Sequence, residues 1–433
     1  MSAIAPTFEK ILGSDAVCPW ETLDATLQFQ IAQAVAPETQ IDCVIYPHTL
    51  AELSEAVACA AANRWRVLPC GNGSKLHWGG LAAGIEVVIS TARLNRLIDH
   101  AAGDMTVTAE AGMRLSELQP QLAKAGQFLT ADPLYGDTAT LGGMVATAST
   151  GSLRQRYGGI RDFLIGISLV RTDGQVAKAG GRVVKNVAGY DLMKLFTGSY
   201  GTLGLISELT FRLYPLPTAS TTVVLTGTAA AIAQATATLL ASGLTPSALE
   251  LLSAAAVNAL GMGDALGLIG RFQSIEISVE KQAEQLLNMG QALGLAGVNL
   301  AGADESRLWQ QLSEQMQQRT PELPITCKIG VLPSNAVDTL TQIAAFTPAI
   351  ATLHASSGLG LLRCSALSPQ AILDLRQICQ SQGGFLTLLE APIALRRLEV
   401  WGYSGNALAL MQRIKHQFDP ENLFSPGRFV GGI

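Results

Sequence analysis

The chain has 433 residues, of which 48% are hydrophobic and only 15% are charged, so it has enough apolar material for large cores and is not disordered. Its length predicts at least two domains. The 29 basic and 34 acidic residues leave a net charge of −5, which excludes a general electrostatic attraction for nucleic acid or for an anionic membrane surface.

The cysteines and the apolar segments limit the class of protein further. Seven cysteines occur without any Cys-x-x-Cys pair, so we expect neither a zinc site nor an iron–sulfur cluster held wholly by this chain. Such a set is typical of reduced, mostly buried thiols in the cytoplasm. The N-terminus has no basic segment followed by an apolar run, so no signal peptide is expected. The uncharged stretches 213–249 and 339–362 contain Pro, Gly and polar residues, which favours buried strand–turn–helix units over membrane spans.

The predicted elements begin with a helical extension over residues 1–36. A β–α–β unit follows, with strands at 43–47 and 67–69 on either side of a helix. Thr49 begins this helix, and a glutamate three residues later completes the spacing of a capping box. The helix is expected to end near Asn63.

Residues 130–217 are rich in glycine and in short turns. Asp173-Gly174 lies between two predicted strands and indicates a β-hairpin. The strand that closes this region is stopped by Pro215 and Pro217, and this pair of prolines is the predicted domain boundary.

The second half of the chain has a different pattern. Strand–helix–strand units are predicted at 221–252 and 325–354, with a helix at 278–293 between them. Two such units predict a mixed sheet with helices on one face. A last helix at 405–418 leads into a C-terminal segment rich in Pro and Gly.

A glycine-rich loop at 69–75, Pro-Cys-Gly-Asn-Gly-Ser-Lys, follows a predicted strand. Glycines in such a turn let backbone N–H groups converge on an anion, and a diphosphate is a natural ligand. The loop is not a dinucleotide fingerprint, because Leu76 stands where the third glycine is needed, and it lacks the Gly-Lys-Ser/Thr ending of a P-loop. A simple glycine-rich hairpin turn is the alternative.

The segment 132–152 has a loop, a Gly-Gly pair and a run of small residues that ends at Gly151. We expect Thr140 to cap a short helix there, whose free N–H groups form a second anion site. Small side chains also let a flat ring or a diphosphate lie against the backbone. Two further glycine turns follow at 157–162 and 198–206.

These segments, in this order and spacing, resemble the FAD-binding domain of the vanillyl-alcohol oxidase / p-cresol methylhydroxylase flavoproteins. The resemblance implies an α+β fold, with a two-subdomain FAD-binding domain and a mixed α/β cap domain that contains ferredoxin-like β–α–β repeats. The implied domains are an N-terminal helical extension (1–36), the FAD-binding domain (37–217), a cap domain on the substrate side (218–395) and a C-terminal segment that returns to the flavin domain (396–433).

The resemblance also implies which residues bind FAD. The first glycine-rich loop binds the pyrophosphate, the second segment lines the diphosphate and the isoalloxazine, and the last turn lies on the adenine side. The implied cofactor-binding residues are Gly71, Asn72, Gly73, Ser74, Pro133, Thr140, Gly142, Gly143, Ser149, Gly151, Ser152, Tyr157, Gly158, Asp162, Gly204 and Ile206.

Many relatives bind FAD covalently through a histidine that directly follows the second glycine of the first loop. Ser74 occupies that position here, and His77 lies three residues further on. The sequence therefore predicts non-covalent FAD. His77 and Trp78 either line the loop or have a plain structural role.

Two segments narrow the resemblance to the 2-hydroxyacid dehydrogenase branch: Lys-Asn-x-x-Gly-Tyr-Asp-Leu at 185–192, and Phe-Asp-Pro…Pro-Gly-Arg at 418–428, with Ser425 in place of asparagine. The pattern most resembles the smaller FAD-binding subunits of glycolate oxidases. It implies a second flavin subunit and an iron–sulfur subunit as partners, and membrane contact only through partners. Lys185 and Asn186 are candidates for a place near the flavin ring.

One departure from the family concerns the second domain. Catalytic members carry His-x-Gly-Asp-Gly-Asn-x-His, whereas here only the first histidine, His354, and a Gly-x-Gly remain. One imidazole is a poor metal site, so no metal is predicted. His354 is either a general base or a strand-end histidine with its hydrogen bonds satisfied. Arg396-Arg397 is either a carboxylate clamp or a solvated surface.

Three functions remain open at this point. In the first, the chain oxidises a 2-hydroxyacid, with hydride moving to flavin N5 while a base takes the hydroxyl proton. In the second, it is a non-catalytic partner that relays electrons or supports a catalytic subunit. In the third, it is an independent FAD-linked oxidase of another hydroxyacid or alcohol. The catalytic residues are not assigned by the sequence.

Overall fold

The structure is a computed structural model that describes residues 3–182, 189–318 and 320–433. Lys185 and Asn186 lie outside the described residues. The chain divides into two compact units. The first unit consists of Met1–Thr150, Gly159–Leu216 and Ser404–Ile433, and the second of Gly151–Gly158 and Pro217–Tyr403.

The first unit contains a four-stranded sheet in the order β1-β2-β4-β3. β2, β4 and β3 are parallel, and β1 is antiparallel to β2. The helix Leu50–Ala62 connects β2 to β3, and the Thr49 hydroxyl accepts a hydrogen bond from the N–H of Glu52, so the predicted β–α–β unit is confirmed. The four strands are β1 (Val17–Pro19), β2 (Cys43–Ile45), β3 (Val67–Cys70) and β4 (Val87–Ser90).

The helical extension predicted over residues 1–36 also contains a strand. Two helices occur there, but Val17–Pro19 is strand β1. Val17 is buried and pairs with Ile45 at the edge of the sheet. Pro19 ends the strand, which an edge position tolerates because the missing N–H is not needed there.

A second, antiparallel sheet in the first unit has the order β5-β6-β10-β8-β9. The hairpin predicted at Asp173-Gly174 connects β8 to β9, and Gly174 has a φ of +79°. Pro215 belongs to a two-residue strand that pairs with β7. The strands are β5 (Leu97–Ala101), β6 (Thr106–Glu110), β7 (Gln127–Phe128), β8 (Leu164–Val170), β9 (Val176–Gly180), β10 (Leu205–Arg212) and β11 (Tyr214–Pro215).

Helices cover these sheets and complete three cores, two around the first sheet and one around the second. Phe8 and Phe424 are fully buried in one core of the first sheet, and Phe163, Phe196 and Phe211 in the core of the second sheet. The helices of this unit are Ile4–Leu12, Ala25–Ala32, Leu50–Ala62, Leu115–Ala123, Leu141–Ala146, Ile160–Phe163, Leu192–Phe196 and Leu408–Phe418.

The second unit has an eight-stranded sheet in the order β15-β12-β14-β13-β17-β18-β16-β19. Each half follows a β–α–β–β–α–β order along the chain, with one additional short helix, Ala254–Ala259, between β13 and β14 of the first half. The halves join where β13 pairs with β17. The ferredoxin-like repeats are therefore confirmed. The strands are β12 (Ala219–Gly227), β13 (Ala248–Leu252), β14 (Leu266–Ser274), β15 (Ala296–Ala301), β16 (Ile325–Gly330), β17 (Ala349–His354), β18 (Leu359–Cys364) and β19 (Phe385–Glu390).

Two details of the predicted sheet are wrong. Each pairing of these strands is antiparallel, because β14 inserts between β12 and β13, and β18 between β16 and β17. Helices also lie on both faces, since Leu308 and Leu312 of one helix pack with Val224 in a separate core. The helices are Arg154–Tyr157, Ala229–Ala241, Ala254–Ala259, Glu276–Ala292, Gly302–Gln317, Ala336–Phe346, Pro369–Ser381 and Ile393–Arg396.

The cysteines agree with the expectation of reduced, mostly buried thiols. All seven cysteines are free thiols, and five of them are buried. Of the helices in the described residues, none combines the length and the apolar character that crossing a bilayer requires.

Candidate cofactor-binding site

A cavity in the first unit has about 730 Å³ of space, part of it open to solvent, within the usual range for ligand sites. Three glycine-containing segments border it, and each follows or joins a strand or helix of this unit. The lining residues are Pro69, Cys70, Gly71, Asn72, Gly73, Ser74, Lys75, Leu76, Thr91, Thr140, Gly142, Gly143, Ala146, Thr147, Ser199, Tyr200, Gly201, Gly204, Leu205, Ile206 and Arg428.

The first wall is the loop that leaves the end of β3. A Cβ on Gly71 would lie 2.3 Å from the Thr140 hydroxyl, so glycine is required by the close approach of the two segments. Gly73 has a φ of +78°, a conformation that favours glycine. The Asn72 amide donates to the carbonyl oxygen of Thr138 at 3.3 Å. The loop is thus held against the second segment.

The second wall is the helix Leu141–Ala146, which Thr140 caps by accepting a hydrogen bond from the N–H of Gly143 at 3.2 Å. The prediction of an anion site at the start of this helix is wrong. The N–H of Leu141 donates to Met113 O at 2.9 Å, and the N–H of Gly142 donates to Ala111 O at 2.8 Å. Both N–H groups already donate within the protein, so they are not free to bind an anion. The small residues of this helix instead let a ligand approach the backbone closely.

The third wall is the turn at 199–206 that enters β10. Tyr200 has a φ of +53°, which is unusual for a residue with a Cβ, and its N–H donates to Ala146 O at 2.8 Å. This bond connects the third wall to the second. The Ser199 hydroxyl is buried, and among the described residues it has no hydrogen-bond partner.

Two cationic side chains border the cavity, and the sequence had not assigned either of them to it. Arg428 is buried; its Nη2 donates to Leu76 O at 2.6 Å and its Nη1 to Ala34 O at 3.4 Å. Lys75 is 5% exposed, and within the part of the chain that the structure describes its ammonium has no hydrogen-bond partner. Burial lowers the pKa of the Lys75 ammonium from 10.5 to about 7.

Nine of the residues predicted to bind FAD border this cavity. Of the others in the first unit, Asp162 accepts a hydrogen bond from the N–H of Gly159 at 2.8 Å, and Pro133 and Ser149 lie outside the lining set. Gly151, Ser152, Tyr157 and Gly158 are in the second unit. The nine residues that border the cavity are Gly71, Asn72, Gly73, Ser74, Thr140, Gly142, Gly143, Gly204 and Ile206.

His77 and Trp78 are both buried and form an aromatic group with Tyr135. The His77 ring centroid lies 5.8 Å from that of Tyr135, with the two rings perpendicular. His77 and Trp78 therefore pack behind the first loop and do not border the cavity.

Polar groups of the second unit lie on one face of its sheet. His354 Nδ1 and Glu250 Oε1 are 2.6 Å apart across the β13–β17 pairing, and both side chains are largely buried. Burial and the charge of Arg154 lower the pKa of the Lys328 ammonium. Among the described residues, no group of three or more His, Cys, Asp or Glu side chains could hold a metal ion.

The adjacent arginines of this unit do not share one environment. Arg396 is 3% exposed, whereas Arg397 is exposed. A clamp formed by both guanidinium groups on one carboxylate is therefore not present in this arrangement.

The cavity of the first unit fits FAD. The glycines of the walls let an elongated ligand lie close to the backbone. The Lys75 ammonium and the Ser199 hydroxyl are buried and have no hydrogen-bond partner among the described residues, so both groups are available to bind a ligand. A diphosphate is an anion with several acceptor oxygens, and it suits both groups.

Comparisons with known proteins agree with this fit. Residues 41–180 match the family model of the FAD binding domain, and residues 401–429 match that of the C-terminal domain of FAD linked oxidases. Among solved structures, p-cresol methylhydroxylase with substrate bound has a TM-score of 0.78 at 14% identity, over 98% of this chain and 96% of that chain. This likeness establishes the fold.

Three curated relatives are similar in sequence. Glycolate oxidase subunit GlcD of Bacillus subtilis is 27% identical over 94% of this chain and 90% of the relative. Glycolate oxidase subunit GlcE of Escherichia coli is 36% identical over 39% of this chain and 48% of the relative. The mitochondrial D-lactate dehydrogenase [cytochrome] of Arabidopsis thaliana is 35% identical over 52% of this chain and 40% of the relative. The chain thus spans less than half the length of the last two.

The matched domains, the cavity and the shared fold lead to one conclusion. The chain contains an FAD binding domain and the C-terminal domain of FAD linked oxidases, and it is an FAD-dependent oxidoreductase with the fold of p-cresol methylhydroxylase.

Proposed function

We propose that this chain is the FAD-binding subunit of a 2-hydroxyacid oxidase or dehydrogenase complex and that it acts on the CH–OH group of glycolate. The observation that carries the proposal is the cavity of the first unit, whose glycine walls and buried ammonium suit FAD. Electrons leave through an iron–sulfur partner subunit, because the cysteines of this chain are scattered free thiols. A second, related flavin subunit completes the complex.

The names of the relatives support the substrate class and the partners. Glycolate and D-lactate are both 2-hydroxyacids, and they appear in the names of the three relatives. The chain is also similar to two different subunits, GlcD and GlcE, of glycolate oxidases. A complex with more than one flavin subunit is consistent with this double similarity.

FAD is held without a covalent bond in this proposal. Ser74 borders the cavity at the position where covalent relatives are expected to carry a histidine, and a serine hydroxyl does not provide the imidazole nucleophile. His77 is buried and packs with Trp78 and Tyr135. Its ring is therefore committed to the aromatic group behind the loop.

Bound FAD supplies a hydride acceptor for the oxidation of a CH–OH group. In this chain, His354 is the candidate to take the hydroxyl proton. The Glu250 carboxylate accepts a hydrogen bond from Nδ1 of His354, which leaves Nε2 as the basic nitrogen. Lys328 and Arg154 are neighbouring cations in the second unit and are suited to a substrate carboxylate.

A non-catalytic electron-relay subunit is the second candidate. The observation that favours it is the loop after His354, where Ala-Ser-Ser-Gly-Leu-Gly-Leu stands in place of the residues that hold metal or hydroxyacid in catalytic members of the family. In this case FAD still binds in the first unit, and the oxidation takes place on the partner flavin subunit.

The first experiment is a visible absorption spectrum of the purified chain, repeated after acid precipitation and after anaerobic addition of glycolate. Release of flavin into the supernatant and bleaching by glycolate support non-covalent FAD and a catalytic chain. Flavin without bleaching favours the relay subunit. A folded chain that takes up no FAD would overturn the proposal.

Two variants sharpen the assignment. Glu250→Gln keeps a hydrogen-bonding group of the same size beside His354 but removes the carboxylate charge. His354→Gln removes the imidazole. If His354 is the base, both variants slow bleaching by glycolate while FAD content stays unchanged. An independent oxidase, by contrast, reduces O₂ with the purified chain alone and without partner subunits.

A further inference from the structure

We propose that Lys75 is the cation that binds the diphosphate of FAD and that it makes the site selective for flavins that carry a diphosphate. This inference rests on FAD as the ligand of the first unit, and it does not depend on which hydroxyacid is oxidised. Lys75 is the last residue of the glycine-rich loop and borders the cavity. Its ammonium is buried and has no hydrogen-bond partner among the described residues.

The two cationic side chains that border the cavity differ in their hydrogen bonds. The Arg428 guanidinium donates to Leu76 O and Ala34 O, so it holds the protein together. The Lys75 ammonium, by contrast, has no hydrogen-bond partner among the described residues, and its nearest aromatic contact is the Trp78 ring, 5.9 Å from Nζ to the ring centroid. A contact at that distance offers an ammonium only a weak cation–π interaction.

A buried ammonium without hydrogen bonds is costly, and proteins keep such a group where a partner compensates it. No carboxylate belongs to the residues that line the cavity. The partner must therefore be an anion that enters from outside. Backbone N–H groups of the helix Leu141–Ala146 cannot bind this anion in place of Lys75. The first three of them already donate to Met113 O, Ala111 O and the Thr140 hydroxyl.

The other titratable groups of the cavity do not change charge near neutral pH. Burial raises the pKa of the Cys70 thiol to about 12 and raises the pKa of the Tyr200 phenol. Burial lowers the pKa of Arg428 to about 10. Because the pKa of Lys75 is about 7, binding of an anion has to keep Lys75 protonated, and FAD affinity should fall as the pH rises above 7.

The test uses apoprotein of the full chain and equilibrium dialysis with three probes: FAD, ADP and riboflavin. ADP carries the diphosphate without the flavin ring, and riboflavin carries the ring without any phosphate. Lys75→Met is compared with the wild type and with Lys124→Met, an exposed lysine of the same unit. Circular dichroism confirms that each variant is folded.

We expect Lys75→Met to weaken the affinity for FAD and for ADP by about 10- to 100-fold, the range for loss of a charge-assisted hydrogen bond. Its affinity for riboflavin should not change, and the Lys124→Met control should bind all three probes like the wild type. The wild type should bind FAD more weakly at pH 8.5 than at pH 6.5, whereas Lys75→Met should show no such difference. Equal FAD affinity for Lys75→Met and the wild type overturns the inference, and so does an equal loss of FAD and riboflavin, which places Lys75 at the ring.

Lys75→Arg keeps the test decisive if Lys75→Met does not fold. Arginine stays protonated over this pH range, so this variant should bind FAD with an affinity that no longer depends on pH between 6.5 and 8.5. A pH dependence equal to that of the wild type contradicts the inference. Failure of glycolate to bleach the flavin counts against the proposed function alone, since these binding measurements do not involve the substrate.

Discussion

Arg428 donates a hydrogen bond from Nη2 to the carbonyl oxygen of Leu76 at 2.6 Å, although 352 positions separate the two residues. A main-chain hydrogen bond joins the same two segments, since the N–H of Gly80 donates to Arg428 O at 2.9 Å. The C-terminal segment therefore holds the chain that directly follows Lys75 in place. Arg428 is a positioning residue for the cofactor loop.

Arg428→Met tests this role. The substitution leaves the buried carbonyl group of Leu76 without its side-chain donor, at a cost of about 1–3 kcal/mol, whereas Ala34 O still accepts from the N–H of Ala82 at 2.9 Å. We expect a lower melting temperature and a weaker FAD affinity, measured by thermal unfolding and by dialysis. Arg413→Met, at an exposed position of the last helix, is the control. A variant that melts and binds like this control would show that the loop holds its shape without Arg428.

Gly71→Ala should abolish FAD binding while the fold survives. The new Cβ would lie 2.3 Å from the Thr140 hydroxyl, so the first loop must move away from the second wall. Gly103→Ala is the control, because nothing lies within 4 Å of its Cβ. Combining Gly71→Ala with Thr140→Ala removes the hydroxyl and should restore part of the affinity. Full FAD content in Gly71→Ala would contradict the close approach of the two walls.

Lys415 and Asp419 form a buried ion pair at 2.6 Å in the C-terminal part of the first unit. Lys415 also donates to Thr202 O and Phe424 O, at 2.9 and 2.8 Å. Removing one partner of a buried pair costs about 3–5 kcal/mol. Lys415→Met should therefore unfold at a lower temperature than the wild type, and adding Asp419→Asn should lower it by less than the sum of the single effects. Strict additivity in this double-mutant cycle would mean that the pair is not coupled.

The stability of the apoprotein should depend on Lys75 and on pH. The pKa of Lys75 is about 7 in the folded protein, against an ordinary value of 10.5. Between these values the unfolded chain binds more protons, so the contribution of Lys75 to stability rises with pH. Lys75→Met should therefore raise the melting temperature relative to the wild type most at pH 6.5, and this gain should shrink toward pH 9.5. A constant difference across this range would contradict the lowered pKa.

The sequence predicted a structural feature correctly where that feature depends on residues next to each other in the chain. The capping box at Thr49, the hairpin at Asp173-Gly174 and the glycines of the first loop are local signals, and the structure contains each of these features. In such cases the required φ angle or hydrogen bond is set within a few residues.

What the sequence missed depends on distant partners. Nothing near Gly142 indicates that its N–H is donated to Ala111 O, so the helix looked like an anion site. The insertion of β14 between β12 and β13 is likewise a tertiary choice, and it turned an expected mixed sheet into an antiparallel one. The cavity that Lys75 borders also contains Thr140 and Arg428, which lie more than 60 residues further along the chain, and a local pattern does not show that they meet.

The C-terminal segment also determines when the site can be completed. Val67 of β3 donates its N–H to Leu423 O and accepts from the N–H of Ser425, at 2.8 and 2.9 Å, so the strand that leads into the cofactor loop pairs with a segment that follows the second unit in the chain. A ribosome releases this segment only after it has synthesised the whole second unit. We therefore expect nascent chains to remain unable to retain flavin until residues 423–425 have left the ribosome, which makes cofactor loading a step that follows synthesis of the second unit.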